Sequence, residues 1–117
     1  MISFQNFAHL AHIDLGMPKP KPTSIEGAQV EAAKTLWTSP DGKAEVGVWE
    51  CTPGRFTANR ETNSEICHIV QGRVTLHDRD GRAQEVGPGE LLVLPIGWTG
   101  EWTIHEHTRK LYFIKYE

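Results

Sequence analysis

From residue 39 onward the sequence is cut by a turn signal at intervals of roughly ten residues, which leaves room only for short strands between them. Ser39-Pro40-Asp41-Gly42 has proline second and glycine fourth, the pattern of a type I turn. Thr52-Pro53-Gly54, Asp78-Arg79-Asp80-Gly81, Gly87-Pro88-Gly89 and Pro95-Ile96-Gly97 follow it. Thr35–Thr38 and Ala44–Cys51 are expected to pair as a hairpin across the first turn, with Val46 and Val48 alternating against Gly47 and Trp49. Ile66–Leu76 is rich in β-branched residues and is interrupted at Gln71-Gly72. Leu91–Leu94 is apolar without alternation, which predicts a strand covered on both faces, by the core and by a partner subunit. Glu101–Ile104 and Lys110–Tyr116 complete an all-β set.

The N-terminal part reads differently. Phe4, Phe7, Ala8, Ala11 and Leu15 recur at helical spacing, and Ser3 is placed to cap a short helix. Pro18-Lys19-Pro20-Lys21-Pro22 must be extended, because proline fixes φ and removes backbone donors. Residues 1–30 are therefore expected to form an arm packing on a barrel made by residues 31–117. A chain of 117 residues is long enough for one real core and too short for two.

The formal charge of -3 is spread along the chain without a basic block, which argues against nucleic acid or an anionic membrane surface as partner. The N-terminus lacks the charged and apolar regions of a signal peptide, and no apolar run approaches the ~20 residues of a membrane span. A cytoplasmic location is expected, where Cys51 and Cys67 would be free thiols. No GxSxG, Walker or Rossmann pattern is present.

The glycine and proline spacings resemble the cupin superfamily. Its first motif joins a glycine, two histidines, a glutamate and a closing glycine; here the interval from Glu65 to Gly72 matches, and Gly54 stands for the first glycine in a register one residue off. Its second motif is matched by Gly89, Pro95 and Gly97. Trp49-Glu50-Cys51, Glu65-Ile66-Cys67, Gly97-Trp98 with Gly100 and Trp102, and Arg109-Lys110-Leu111-Tyr112 resemble the branch typified by (S)-ureidoglycine aminohydrolase and the ethanolamine-utilisation cupin. The resemblance implies a jelly-roll-like β-barrel of two packed antiparallel sheets, a homodimer, and a small-molecule site inside the barrel. The histidine positions depart from the pattern. Counted from Gly54 they hold Arg60 and Thr62, counted back from Glu65 they hold Asn59 and Glu61, and in the second motif the position holds Gly100.

The candidate site is built on these residues. Glu65 shares a strand face with Cys67 and Ile69, and the resemblance turns that face inward. Lys110 and Tyr112 share a face of the last strand with Ile114. If that face also points inward, an ammonium and a phenol meet Glu65 and form a catalytic trio able to bind a small amide or carboxylate or to shuttle a proton. If it points outward, Lys110 solubilises the sheet and Tyr112 packs at an interface. Arg60 and Cys67 are ligand-binding candidates, and Trp98 and Trp102 are expected to wall the barrel mouth. Glu61 and Glu65, with Asn59, form an oxygen-rich set that would suit Mg²⁺ or Mn²⁺. No cofactor is the first expectation, with that divalent ion as the alternative. His105-x-His107 is expected in a surface turn, His9 and His12 in the arm, and His68 facing outward. The function expected is a small-molecule-binding barrel. Either it is a hydrolase or isomerase of a small nitrogen- or carboxyl-bearing metabolite, or a ligand sensor, or an assembly barrel without a ligand.

Overall fold

A computed structural model describes residues 2–117. Nine strands form one curled antiparallel sheet: β1 (Lys19–Pro20), β2 (Ser24–Glu26), β3 (Val30–Thr38), β4 (Ala44–Cys51), β5 (Gly54–Asn59), β6 (Asn63–Asp78), β7 (Ala83–Val86), β8 (Leu91–Leu94) and β9 (Thr99–Tyr116). The two long strands hold the barrel together. Within β9, Thr108–Lys115 pairs with β4 and Thr99–Ile104 pairs with β5. β6 runs antiparallel beside β9 along nearly its whole length and takes β7 and β8 on its other edge.

The turn signals fall where they were read. β3 and β4 pair across Ser39–Gly42, closed by Gly42 N–H donating to the Ser39 carbonyl at 2.9 Å. β6 and β7 pair across Asp78–Gly81, closed by Gly81 N–H donating to Asp78 at 3.2 Å. The interruption at Gln71-Gly72 is a bulge and not a break. Pairing with β9 shifts register between Ile69 and Val74, and the inward residues change from Glu65, Cys67 and Ile69 to Val74 and Leu76. An extra residue in a period-two strand must exchange its faces, so the bulge lets one strand serve both ends of the barrel. Gly72 makes it possible. Its φ is 99°, and a Cβ there would strike the Thr108 hydroxyl and the His107 carbonyl.

The core gathers Trp49, Phe56, Ile69, Val74, Leu76 and Leu94 around Trp102 and Ile104, which are 1% and 2% exposed. Burying one such side chain contributes roughly 1.5–3 kcal/mol.

Two expectations are corrected. Residues 2–15 form no helix; one turn at His9–Ile13 is closed by His12 and Ile13 N–H groups on the His9 carbonyl, both at 2.8 Å. His9 sits at φ 59°, outside the helical region, and an isolated helix this short is marginal in water. The buried Arg109 guanidinium instead takes the Leu10 and Ile13 carbonyls at 3.0 and 2.8 Å, while Leu10, Ile13 and Leu15 pack over Ala32 and Val48. Residues 104–108 form no surface turn but continue β9. Within the single chain the core covers one face of β8: Leu94 is buried, whereas Leu91 and Val93, on the face the sequence reading gives to a partner subunit, are 66% and 54% exposed. Strand alternation applies although every residue is apolar.

Candidate ligand-binding site

A cavity of about 210 Å³ opens between the walls of the barrel, and Glu65 stands on its floor. Glu65 and Lys110 come from paired neighbours, β6 and β9, two inward steps apart along the ladder: Glu65 lies opposite Ile114, Cys67 opposite Tyr112 and Ile69 opposite Lys110, so the long lysine side chain spans the gap. Both are nearly excluded from water. Lys110 Nζ meets Glu65 Oε2 at 2.9 Å, and Arg60 Nη2 meets Glu65 Oε1 at 3.0 Å. Each carboxylate oxygen thus has its own cation. Burial pushes the Glu65 carboxyl up, but the charges of Lys110 and Arg60 and the Lys110 hydrogen bond outweigh it and hold the group below its usual value. Glu65 therefore stands as a carboxylate.

Aromatic rings form the walls. Phe56 and Trp102 stack with centroids 5.7 Å apart, and Trp49 meets both edge-on at 5.9 and 6.0 Å. Lys110 Nζ lies 4.4 Å from the ring centroids of both Trp49 and Trp102, so its charge is held over two π faces as well as against Glu65. Lys21 enters from the extended arm. Its Nζ lies 4.3 Å from the Phe56 centroid and pairs with Glu31 at 2.8 Å, and the same Glu31 oxygen accepts Trp49 Nε1–H at 2.8 Å.

The structure brings together Glu65, Lys110, Arg60 and Trp102, as the sequence suggested. Tyr112 also borders the cavity, but its hydroxyl leans over Gly47 beside Thr35; burial pushes the phenol up. Cys67 is buried on the Glu65 face without lining the cavity, and burial pushes its thiol up to about 12, so it carries no thiolate chemistry. Trp98 stands outside the cavity. Its Nε1–H donates to Asp78 Oδ1 at 2.6 Å, and its ring lies against Gly100, at one of the histidine positions of the resemblance. A side chain at Gly100 would collide with that ring and with the His77 carbonyl. Lys21 and Glu31 were missed. A Pro-Lys repeat does not say which lysine folds back, and Glu31 carries no motif.

A metal does not fit this site. Both Glu65 oxygens are taken by cations, Glu61 is exposed on the loop, and among the described residues no group of three His, Cys, Asp or Glu is placed to hold an ion. The ammonium of Lys110 stands against Glu65 where a metal's charge would be needed. His105 and His107 do not act together: one meets Thr75 at 2.7 Å and the other Glu50 at 3.0 Å. His9, His12 and His68 are exposed.

The comparisons agree with this architecture. The model of the EutQ-like cupin domain matches residues 38–112. The EutQ protein of Clostridium difficile superposes with a TM-score of 0.66 at 24% identity, over 75% of this chain and 64% of that one. A DUF861-family protein from Pseudomonas syringae pv. tomato gives a TM-score of 0.77 at 20% identity, over 92% of this chain and 46% of that one. A DUF861-family protein of Thermotoga maritima is 32% identical over 56% of this chain and 73% of that one, with a TM-score of 0.53. The chain thus spans less than two thirds of the first two. No curated protein matches the sequence. Among the described residues no helix is long and apolar enough to cross a membrane.

Proposed function

The chain belongs to the EutQ-like cupin domain family, and on that premise we propose that its barrel is a binding site for a small polar metabolite bearing nitrogen or a carboxyl group. One observation carries the reading: a buried carboxylate with two buried or half-buried cations lies on the floor of a cavity walled by three aromatic rings. Such charge is costly to bury and contributes little to stability relative to an apolar core, so its retention beside a cavity points to a ligand. A volume of about 210 Å³ suits a molecule below drug size.

The same groups support proton transfer. Lys110 is placed to donate a proton to a ligand heteroatom while Glu65 holds it in position, the acid half of hydrolase or isomerase chemistry on a small amide. A purely sensing barrel would use the same contacts without turnover. The partner we propose is a second copy of the chain, seated on the outer face of β6, β8 and β9 where Ile66, Leu91, Val93 and Phe113 are exposed.

The test is a thermal-shift and calorimetric screen of small amides, ureides and carboxylates against the intact protein. A ligand present at 100 times its Kd stabilises by about 2.7 kcal/mol, a rise in Tm on the order of 10 °C at this size. Binding that is lost in Lys110→Met supports the proposal. Ligand affinity unchanged in Lys110→Met, or no binding across the panel, overturns it.

A further inference from the structure

The cavity's charges do not balance. Lys21, Arg60 and Lys110 line it, Glu65 is the lining carboxylate, and Glu31 answers Lys21 from behind; three cations against two carboxylates leave one positive charge. The excess has a specific place. Arg60 gives Nη1–H to Asn63 at 2.8 Å and Nη2–H to Glu65 at 3.0 Å, but its Nε is buried and has no partner, the one such side-chain atom among the described residues. A buried donor without an acceptor is costly, and a ligand that supplies one recovers that cost. Lys21 and Lys110 each have three donors and spend one on a carboxylate, so both keep N–H groups for a guest.

Resting on the binding-site reading above, we propose that the ligand is a small organic monocarboxylate with an unsaturated body. Its carboxylate is received by the arm's Lys21 and by Arg60, and its body lies among Trp49, Phe56 and Trp102. One negative charge neutralises the cavity, whereas a phosphate dianion would overshoot. A neutral amide could meet the Arg60 donor but would leave the charge unanswered. The unsaturated body follows from the lining, because Trp49, Phe56 and Trp102 border the cavity with aromatic carbon while Lys110 and Lys21 stand over their faces. Lys21 then becomes a specificity residue supplied by the extended arm. The segment is tied down: Lys21 N–H donates to the Gln29 carbonyl at 3.0 Å, and Gln29 is 1% exposed.

The experiment is calorimetric titration of the full chain with benzoate and crotonate, beside benzamide, crotonamide and inorganic phosphate. The carboxylates are expected to bind at least about tenfold more tightly than their amides, since a charge-assisted contact exceeds a neutral one. Lys21→Met and Arg60→Lys should each weaken carboxylate binding about tenfold, and by more than they weaken amide binding. Circular dichroism checks the fold of each variant, and Arg60→Lys keeps the charge where Arg60→Met could unfold. Amides binding as tightly as carboxylates, or carboxylate affinity unmoved in a folded Lys21→Met, overturns this inference and leaves the binding site standing. Phosphate binding more tightly than either carboxylate also overturns it. If no probe binds, both readings fall.

Discussion

Lys110 is the residue on which the stability of the site and the binding proposed for it turn. It is 6% exposed and paired with a Glu65 that is 1% exposed. Removing one member of a buried pair costs about 3–5 kcal/mol, because the other charge is left buried. Lys110→Met should cost about 3 kcal/mol, the lower end, since Arg60 still faces Glu65. Urea denaturation measures it, and adding Glu65→Gln to Lys110→Met should recover part of the loss. The acid limb follows from the same pair. The Glu65 carboxyl is held below its usual value in the fold, so its contribution is present above the unfolded value of about 4.3 and is lost as pH falls through the folded one. The stability gap between wild type and Glu65→Gln should therefore narrow below about pH 4 and be constant near neutrality. Urea midpoints across that range read it out; a gap that stayed constant on acidification would contradict the ion pair. Alternation in the sequence placed Glu65 with Cys67 and Lys110 with Tyr112. That the two faces meet came from the family resemblance, because pairing between strands distant in sequence leaves no local trace.

At the level of elements, the sequence marks where the chain turns far better than where it bends. Ser39–Gly42 and Asp78–Gly81 close hairpins through residues whose turn chemistry is local. The bulge in β6 and the long run of β9 depend on what lies opposite, and Gly72 carries its reason in a close approach to Thr108 that only the fold creates. The arm shows the same limit. Its helical spacing was real, but the apolar side chains serve a docked, irregular segment. Arg109 fixes that segment, giving hydrogen bonds to two arm carbonyls while pairing with Glu50 at 3.2 Å. Arg109→Met should release residues 2–15 and expose the Val48 and Ala32 surface beneath them. We expect a loss of about 2 kcal/mol and much faster protease cleavage within the arm, with the barrel still folded. Cleavage at the wild-type rate would show that the apolar contacts of Leu10, Ile13 and Leu15 hold the arm unaided.

For the whole molecule, what stays outside is as informative as the cavity. Ile66 lies opposite Val93 on one side and Phe113 on the other, so three strands present one continuous apolar strip, extended by Leu91. Their exposures run from 36% for Phe113 to 66% for Leu91. Among the described residues β8 pairs only with β6, which leaves it an open edge beside that strip. An exposed apolar edge invites association unless it is covered, and the sequence places no proline or charge within Leu91–Leu94 to blunt it. A two-fold partner is the economical cover, because the same patch serves both copies. The intact protein is expected to sediment as a dimer, with Val93→Lys shifting it to monomer and the circular dichroism spectrum unchanged. Monomeric wild type at tens of micromolar would remove the partner. The cavity supplies a further check on geometry. Tyr112 and Ile114 line it while Phe113 between them points out, so the proposed dimer face is the back of the cavity wall. Because the proposed partner contributes no side chain to the ligand, Val93→Lys should leave ligand affinity within about twofold of wild type, a difference below 0.5 kcal/mol. A larger loss would mean that docking of the second copy shapes the wall from behind.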